Sequence, residues 1–300
     1  MSRRPRLGLA IAIVLVPLLG RAAGADGACD VYSDRAIYTG RTPHALPELS
    51  GMAASRRHPG IYWAHNDSGH ELRLFAIRDT GAVVASFAVR GVEASDPEDV
   101  AVGPCAPNER PSCIYLADTG NNLRLRTRVQ IIRVIEPATL TSGVLVGEAF
   151  PFTYPDGAYD TEALLIDPRT AEAIVITKNL ISLGQAFRVE LDRKVRPAHA
   201  IPLGALASPP SFDALTTAAN VHPSGTRILL RTYRAVWEFR RPGATRMIDV
   251  LRTAPIEVPD GNTHLQGEAV TYTADGRSYL LAGEGEDTAI VRFDCRRCGA

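Results

Sequence analysis

A repeat of roughly fifty residues restricts the fold of this chain more than any other feature. Five segments open alike: Glu48-Leu-Ser-Gly-Met-Ala, Asp96-Pro-Glu-Asp-Val-Ala, Asp160-Thr-Glu-Ala-Leu-Leu, Ser211-Phe-Asp-Ala-Leu-Thr and Gln266-Gly-Glu-Ala-Val-Thr, spaced 48, 64, 51 and 55 residues apart. Each opening is followed, after a turn, by an apolar run such as Ile61-Tyr-Trp-Ala, Ile114-Tyr-Leu-Ala or Tyr279-Leu-Leu-Ala. A third run alternates apolar and polar residues, as a half-buried strand does: Leu72–Ile77, Val129–Val134, Ala186–Leu191, Ala235–Phe239 and Ala289–Phe293. A fourth run follows in four of the five units, for instance Ala82–Val89 and Met247–Leu251.

Four antiparallel strands repeated at this period are the blades of a β-propeller, an all-β fold. Five blades fit the count. A sixth is possible only if a degenerate unit hides in the 64-residue interval. The last unit has three strands, and a strand to complete it exists at the other end, in Asp30–Tyr38. Pairing the two ends closes the ring without an unpaired edge.

Met1–Ala25 reads as a signal peptide: Arg3, Arg4 and Arg6, the apolar run Leu7–Gly20, then Ala23-Gly24-Ala25 as small residues for cleavage. The run is too short to span a bilayer, which takes about 20 residues of helix. The expected organisation is therefore a leader over 1–25 and one propeller domain over 26–300, secreted or periplasmic and monomeric. Lys+Arg and Asp+Glu are equal at 33 each. The leader holds four arginines and no acid, so the mature chain is mildly acidic, which speaks against a nucleic-acid binder. An oxidising compartment makes disulfides the default for Cys29, Cys105, Cys113, Cys295 and Cys298. Cys105 and Cys113 flank one loop. Cys29 precedes the closing strand, and Cys295 ends the strand it would pair with, so a bridge there would lock the ring; whether its partner is Cys295 or Cys298 stays open. Cys295-Arg-Arg-Cys298 follows no strand-to-helix turn, as a redox motif would, and lacks the second ligand pair of a zinc site.

In a propeller the first strand of each blade lines the central channel and the second returns beside it, so starts and ends meet at one mouth. Starts supply Glu98, Glu162, Asp213 and Glu268. Ends supply His65, Asn66, Asp67, Asp118, Asn121, Lys178, Arg231 and Glu284. Three uses of the repeated carboxylate compete. It can accept hydrogen bonds from the neighbouring blade and set blade registration. It can hold Ca²⁺, which takes six to eight hard oxygen ligands. Or it can handle protons in metal-assisted ester hydrolysis.

The openings Asp96-Pro-Glu-Asp-Val-Ala and Asp160-Thr-Glu-Ala-Leu, with His65-Asn-Asp-Ser-Gly after Ile61-Tyr-Trp, resemble secreted bacterial β-propellers of the esterase-like-phytase and gluconolactonase-like kinds. The gluconolactonase resemblance implies a calcium ion in the channel, held here by Glu98 or Glu162 with Asn66, Asp118 and Asn121. The relatives usually have six blades, and Lys178 and Arg231 depart from their metal sites. The functional expectation is a non-catalytic module that binds a small molecule or a divalent cation, with a calcium-assisted hydrolase of esters, lactones or phosphoesters as the alternative. There is no Gly-x-Ser-x-Gly elbow, phosphate loop or His-Glu-x-x-His. Ser68 near His65 and His70 reads as a β-turn residue, His264 as a surface loop residue, and Trp63 and Trp237 as core. The run Arg124–Arg128 reads as a solvated strand face.

Overall fold

The computed structural model describes residues 29–298 except 108, 110, 193–196 and 209–213. The leader expected over Met1–Ala25 lies outside the described residues, as does Asp213. Among the described residues the strands form five antiparallel units. Their first strands are Leu49–Ala54, Pro97–Pro104, Thr161–Ile166, Thr216–Val221 and Gly267–Tyr272. Each lies against the next and the last lies against the first, so they enclose a ring. In every unit the second strand pairs antiparallel with the first and the third with the second.

Apolar cores fill the spaces between adjacent units rather than within a central mass. Trp63, Leu116 and Ile132 meet between the first and second units. Tyr115, Phe152 and Phe187 meet between the second and third, and Ile174, Leu230 and Phe239 between the third and fourth. Leu229, Tyr279 and Phe293 join the fourth to the fifth, and Leu280, Leu49 and Met52 join the fifth back to the first. Both tryptophans are buried, as expected.

Among the described residues the 64-residue interval holds four strands: Pro97–Pro104, Ser112–Asp118, Val129–Ile135 and Gly143–Thr153. Its extra length goes into loops and into the last of these strands. That strand pairs antiparallel with Val129–Ile135 through one half and parallel with Val83–Arg90 of the preceding unit through the other.

The N-terminal segment closes the last unit, but as two strands. Ile37–Arg41 pairs with Ala289–Arg292, and Cys29–Tyr32 pairs with Cys295–Cys298, both on the strand Ala289–Cys298. Disulfides join Cys29 to Cys295 and Cys105 to Cys113, and Cys298 is free.

Two local expectations are corrected. Met247–Leu251 is a short helix, not a strand. Met247, Val250 and Leu251 stand at i, i+3 and i+4, which places them on one helical face, and they are buried in the core between the third and fourth units. The fourth strand there is Ile256–Val258. Arg124–Arg128 is a loop between strands, not a strand face. Arg126 folds back to donate to Asp118 Oδ1 at 2.9 Å and to Gly120 O at 2.6 Å, which ties the loop down and leaves Leu123 and Leu125 in solvent. No helix among the described residues is long and apolar enough to cross a membrane.

Candidate functional site

Every first strand breaks register with its neighbour near its start: between Leu49 and Met52, Pro97 and Asp99, Thr161 and Ala163, Thr216 and Ala218, and Gly267 and Ala269. A β-bulge of this kind re-aims a side chain out of the ordinary alternation. The residues caught in it are Ser50, Glu98, Glu162, Thr217 and Glu268. In the fourth unit the register places Thr217 at this position, and Asp213, expected there, lies outside the described residues.

The neutral members of this column hold the ring together. Ser50 Oγ donates to Glu98 O at 2.6 Å and Thr217 Oγ1 to Gly267 O at 2.6 Å, each reaching the next unit. Thr119 Oγ1 donates to Thr161 O at 2.7 Å. The carboxylate that does the same work is Asp99, one residue beyond the bulge. It accepts from Val100 N at 2.8 Å, Leu164 N at 2.8 Å and Ala219 N at 3.2 Å, joining three units from a fully buried position. Gly51, with φ +96°, lies against it, and a Cβ there would come within 2.8 Å of Asp99 Oδ1.

The acidic members are released from that work. Glu98, Glu162 and Glu268 line a cavity of about 170 Å³ with Glu48, Asp67, Glu284, Lys178 and Tyr233. Glu98 is 5% exposed and finds no hydrogen-bond donor among the described residues. Carboxylate oxygens of Glu98, Asp160 and Glu162 lie within 4.8 Å of one another, and so do those of Asp67, Asp96 and Glu98. Gly120 makes this crowding possible, since a Cβ there would collide with Glu98 and Asp96. Lys178 Nζ donates to Glu162 Oε1 at 2.7 Å and to the Tyr233 hydroxyl at 2.9 Å.

Six of the twelve expected mouth residues are thus together: Asp67, Glu98, Glu162, Lys178, Glu268 and Glu284. The others described serve elsewhere. Asn66 donates to Ala45 O and accepts from Glu48 N, and Asn121 clamps Arg126 N and O. Asp118 accepts from Ser95 N, Asp96 N, Arg126 and Gln130, fixing the loop that carries Asp96. His65 is buried and bonded through Nδ1 to Asn66 O, and burial lowers its pKa to about 4. Arg231 is buried and donates to His264 Nδ1, while His264 Nε2 donates to Ala289 O; His264 is half-buried structure rather than a free surface residue. Ser68 sits in a turn, its amide donating to Asp67 Oδ1, as expected. Of the calcium ligands expected, Glu98 and Glu162 converge, and Asn66 and Asp118 do not. Asp96 and Asp160 join instead. Both stand at the first position of the two Asp-x-Glu openings, and that repetition is the signal that marks them.

Burial makes these acids weak. It raises Glu98 well above the usual carboxyl range, with Glu162, Asp67, Asp96 and Asp160 adding to the shift. Burial also raises Glu162 to about 8 and Glu268 to about 7, against the opposing pull of Lys178. Burial disfavours the Lys178 charge, but Glu162 outweighs it and holds the ammonium above its ordinary range. A carboxyl whose pKa is raised by folding stabilises the fold most below its unfolded value and loses that contribution as pH rises through the folded one. Without a divalent cation the protein should therefore melt progressively lower as pH rises from about 5 through the range in which Glu268 and Glu162 ionise, at about 7 and about 8. Glu268→Gln should flatten that decline between about pH 5 and 7, read by thermal denaturation across the range.

The donors gathered here are hard oxygens in excess of one ammonium, the ligand type that calcium takes.

The ring of units and this channel-mouth site define the class: a β-propeller with an acidic mouth. No family model matches the chain, and no curated protein matches it. Among solved structures it is similar to "Structure of U3-55K", with TM-score 0.40 and 9% identity over 82% of this chain and 67% of that one. It is also similar to the Cps50 (Swd1) β-propeller domain of Myceliophteria thermophila, with TM-score 0.42 and 12% identity over 83% of this chain and 73% of that one. The class rests on the sheet order itself.

Proposed function

We propose that the chain is an exported, non-catalytic calcium-binding propeller whose ion is held by Glu98, Asp160 and Glu162 at the acidic mouth. One observation carries the reading: Glu98 is buried without a donor, and its oxygens converge with those of two further acids. Carboxylates brought this close repel one another, and a divalent cation would relieve the repulsion. The resemblance noted in the sequence supports calcium, although Asp160 stands in place of the expected Asn66 and Asp118. The two disulfides suit an oxidising compartment, and the mature protein is expected to begin at Asp26, which intact mass measures.

Calcium should raise the melting temperature of the native protein. At a hundredfold excess over Kd the gain is about 2.7 kcal/mol. Chelator should reverse it, and Glu98→Gln should abolish it. Equal melting with calcium and with chelator would reject the reading.

A second reading is favoured by the Lys178–Tyr233 pair, which puts two proton-handling groups beside Glu162. Bound calcium would then polarise an ester, lactone or phosphoester, and Lys178 and Glu162 would hold or accept protons. Turnover of a simple lactone or aryl ester that is lost with chelator and with Lys178→Met would establish it over the non-catalytic one.

A further inference from the structure

The opposite mouth of the channel has different chemistry. On the strand Pro97–Pro104, Glu98 serves the acidic cavity, Asp99 lies between, and Ala101 and Val102 reach a second cavity of about 280 Å³. That volume is at the small end of ligand pockets, roughly 300–1,000 Å³. Every unit contributes an apolar side chain to its wall: Ala54, Val102, Ile166, Val221 and Ala274. The hydroxyls in the wall are already committed. Ser55 Oγ bonds Glu136, Tyr272 OH donates to Glu238 at 2.7 Å, and Thr273 Oγ1 donates to Asp275 at 2.6 Å.

The groups with capacity left are donors. Arg56 gives one hydrogen bond, to Pro168 O at 3.1 Å, and makes no ion pair among the described residues. Asn220 uses its oxygen on Tyr272 N and has its amide hydrogens to spare. The adjoining groove, also lined by Arg56, adds Arg57 and Arg169 against Glu109, although Arg169 is engaged with Asp167. An apolar pit with unspent donors and an unpaired guanidinium complements a compact ligand with an apolar body and an acceptor-only head.

We infer that this second mouth binds a small amphipathic carboxylate, with its alkyl body in the five-sided pit and its carboxylate on Arg56 and Asn220. The site is independent of the acidic mouth.

Calorimetric titration of the native protein with hexanoate, hexanol and hexylammonium tests it. Hexanoate should bind saturably at one site, and hexanol about tenfold more weakly or worse, since a hydrogen bond to a charged group is worth ~1.5–3 kcal/mol. Hexylammonium should not bind. Arg56→Gln should weaken hexanoate by a similar factor while leaving the ligand-free melting temperature unchanged, and Ala54→Leu should weaken hexanoate and hexanol alike by narrowing the pit. Chelator and Glu98→Gln should have no effect on hexanoate. Absence of saturable hexanoate binding, equal binding of hexanol, or full affinity in Arg56→Gln would each overturn the inference.

Discussion

Asp99→Ala is expected to lower the stability of the protein by about 3 kcal/mol, or roughly 6–12 °C in Tm for a domain of this size. The inner edge of each first strand faces the channel and has no further strand to pair with, so its amides need another acceptor. Asp99 supplies one to Leu164 N and Ala219 N in two other units and to Val100 N in its own. Removing it orphans three buried N–H groups at about 1–3 kcal/mol each. The offset is the cost of burying the carboxyl, whose pKa burial raises well above the usual range. Asp99→Asn keeps one carbonyl acceptor and should recover part of the loss. A melting temperature unchanged in Asp99→Ala would show that the ring does not depend on this contact.

Cys29→Ser should cost a comparable amount, about 2–5 kcal/mol. Its bridge to Cys295 spans 266 residues, so its loss frees nearly the whole chain in the unfolded state. It also loosens the short strand Cys29–Tyr32, whose first carbonyl accepts from Arg227 of the fourth unit. Cys295→Ser should be milder, because Cys298 stands opposite Cys29 in the strand register and is free to take over the bridge. Denaturant melts of the two variants measure the difference, with peptide mapping to identify the new bridge. Equal loss in both variants would mean that Cys298 does not substitute.

The ring was legible in the sequence because its first and second strands are short apolar runs set at regular intervals, each preceded by a turn. The site was half legible. A carboxylate at the third position of the repeated opening marks Glu98, Glu162 and Glu268, and the channel geometry then brings Asp67, Lys178 and Glu284 beside them. In the fourth unit strand register places Thr217 at the bulge, a position that the polar residues of the opening do not single out. Asn66, Asn121 and Asp118 looked equally available, but each is spent on a nearby loop, and such contacts depend on loop paths that no periodicity encodes. Asp99 was hidden for a related reason. In sequence it is one more acid beside Glu98, and its role comes from a bulge that turns Glu98 to the mouth and Asp99 onto the backbones of two distant units. Met247–Leu251, four apolar residues around Asp249, suits a strand or a helix by pattern, and burial between two units goes with the helix.

Calcium titration into metal-free protein by calorimetry is the most direct test of the central claim. The account predicts one saturable site per chain in the wild type, retained in Arg56→Gln and lost in Glu98→Gln and Asp160→Asn while both remain folded. No saturable binding to the wild type, or binding that survives both substitutions at the acidic mouth, would contradict it.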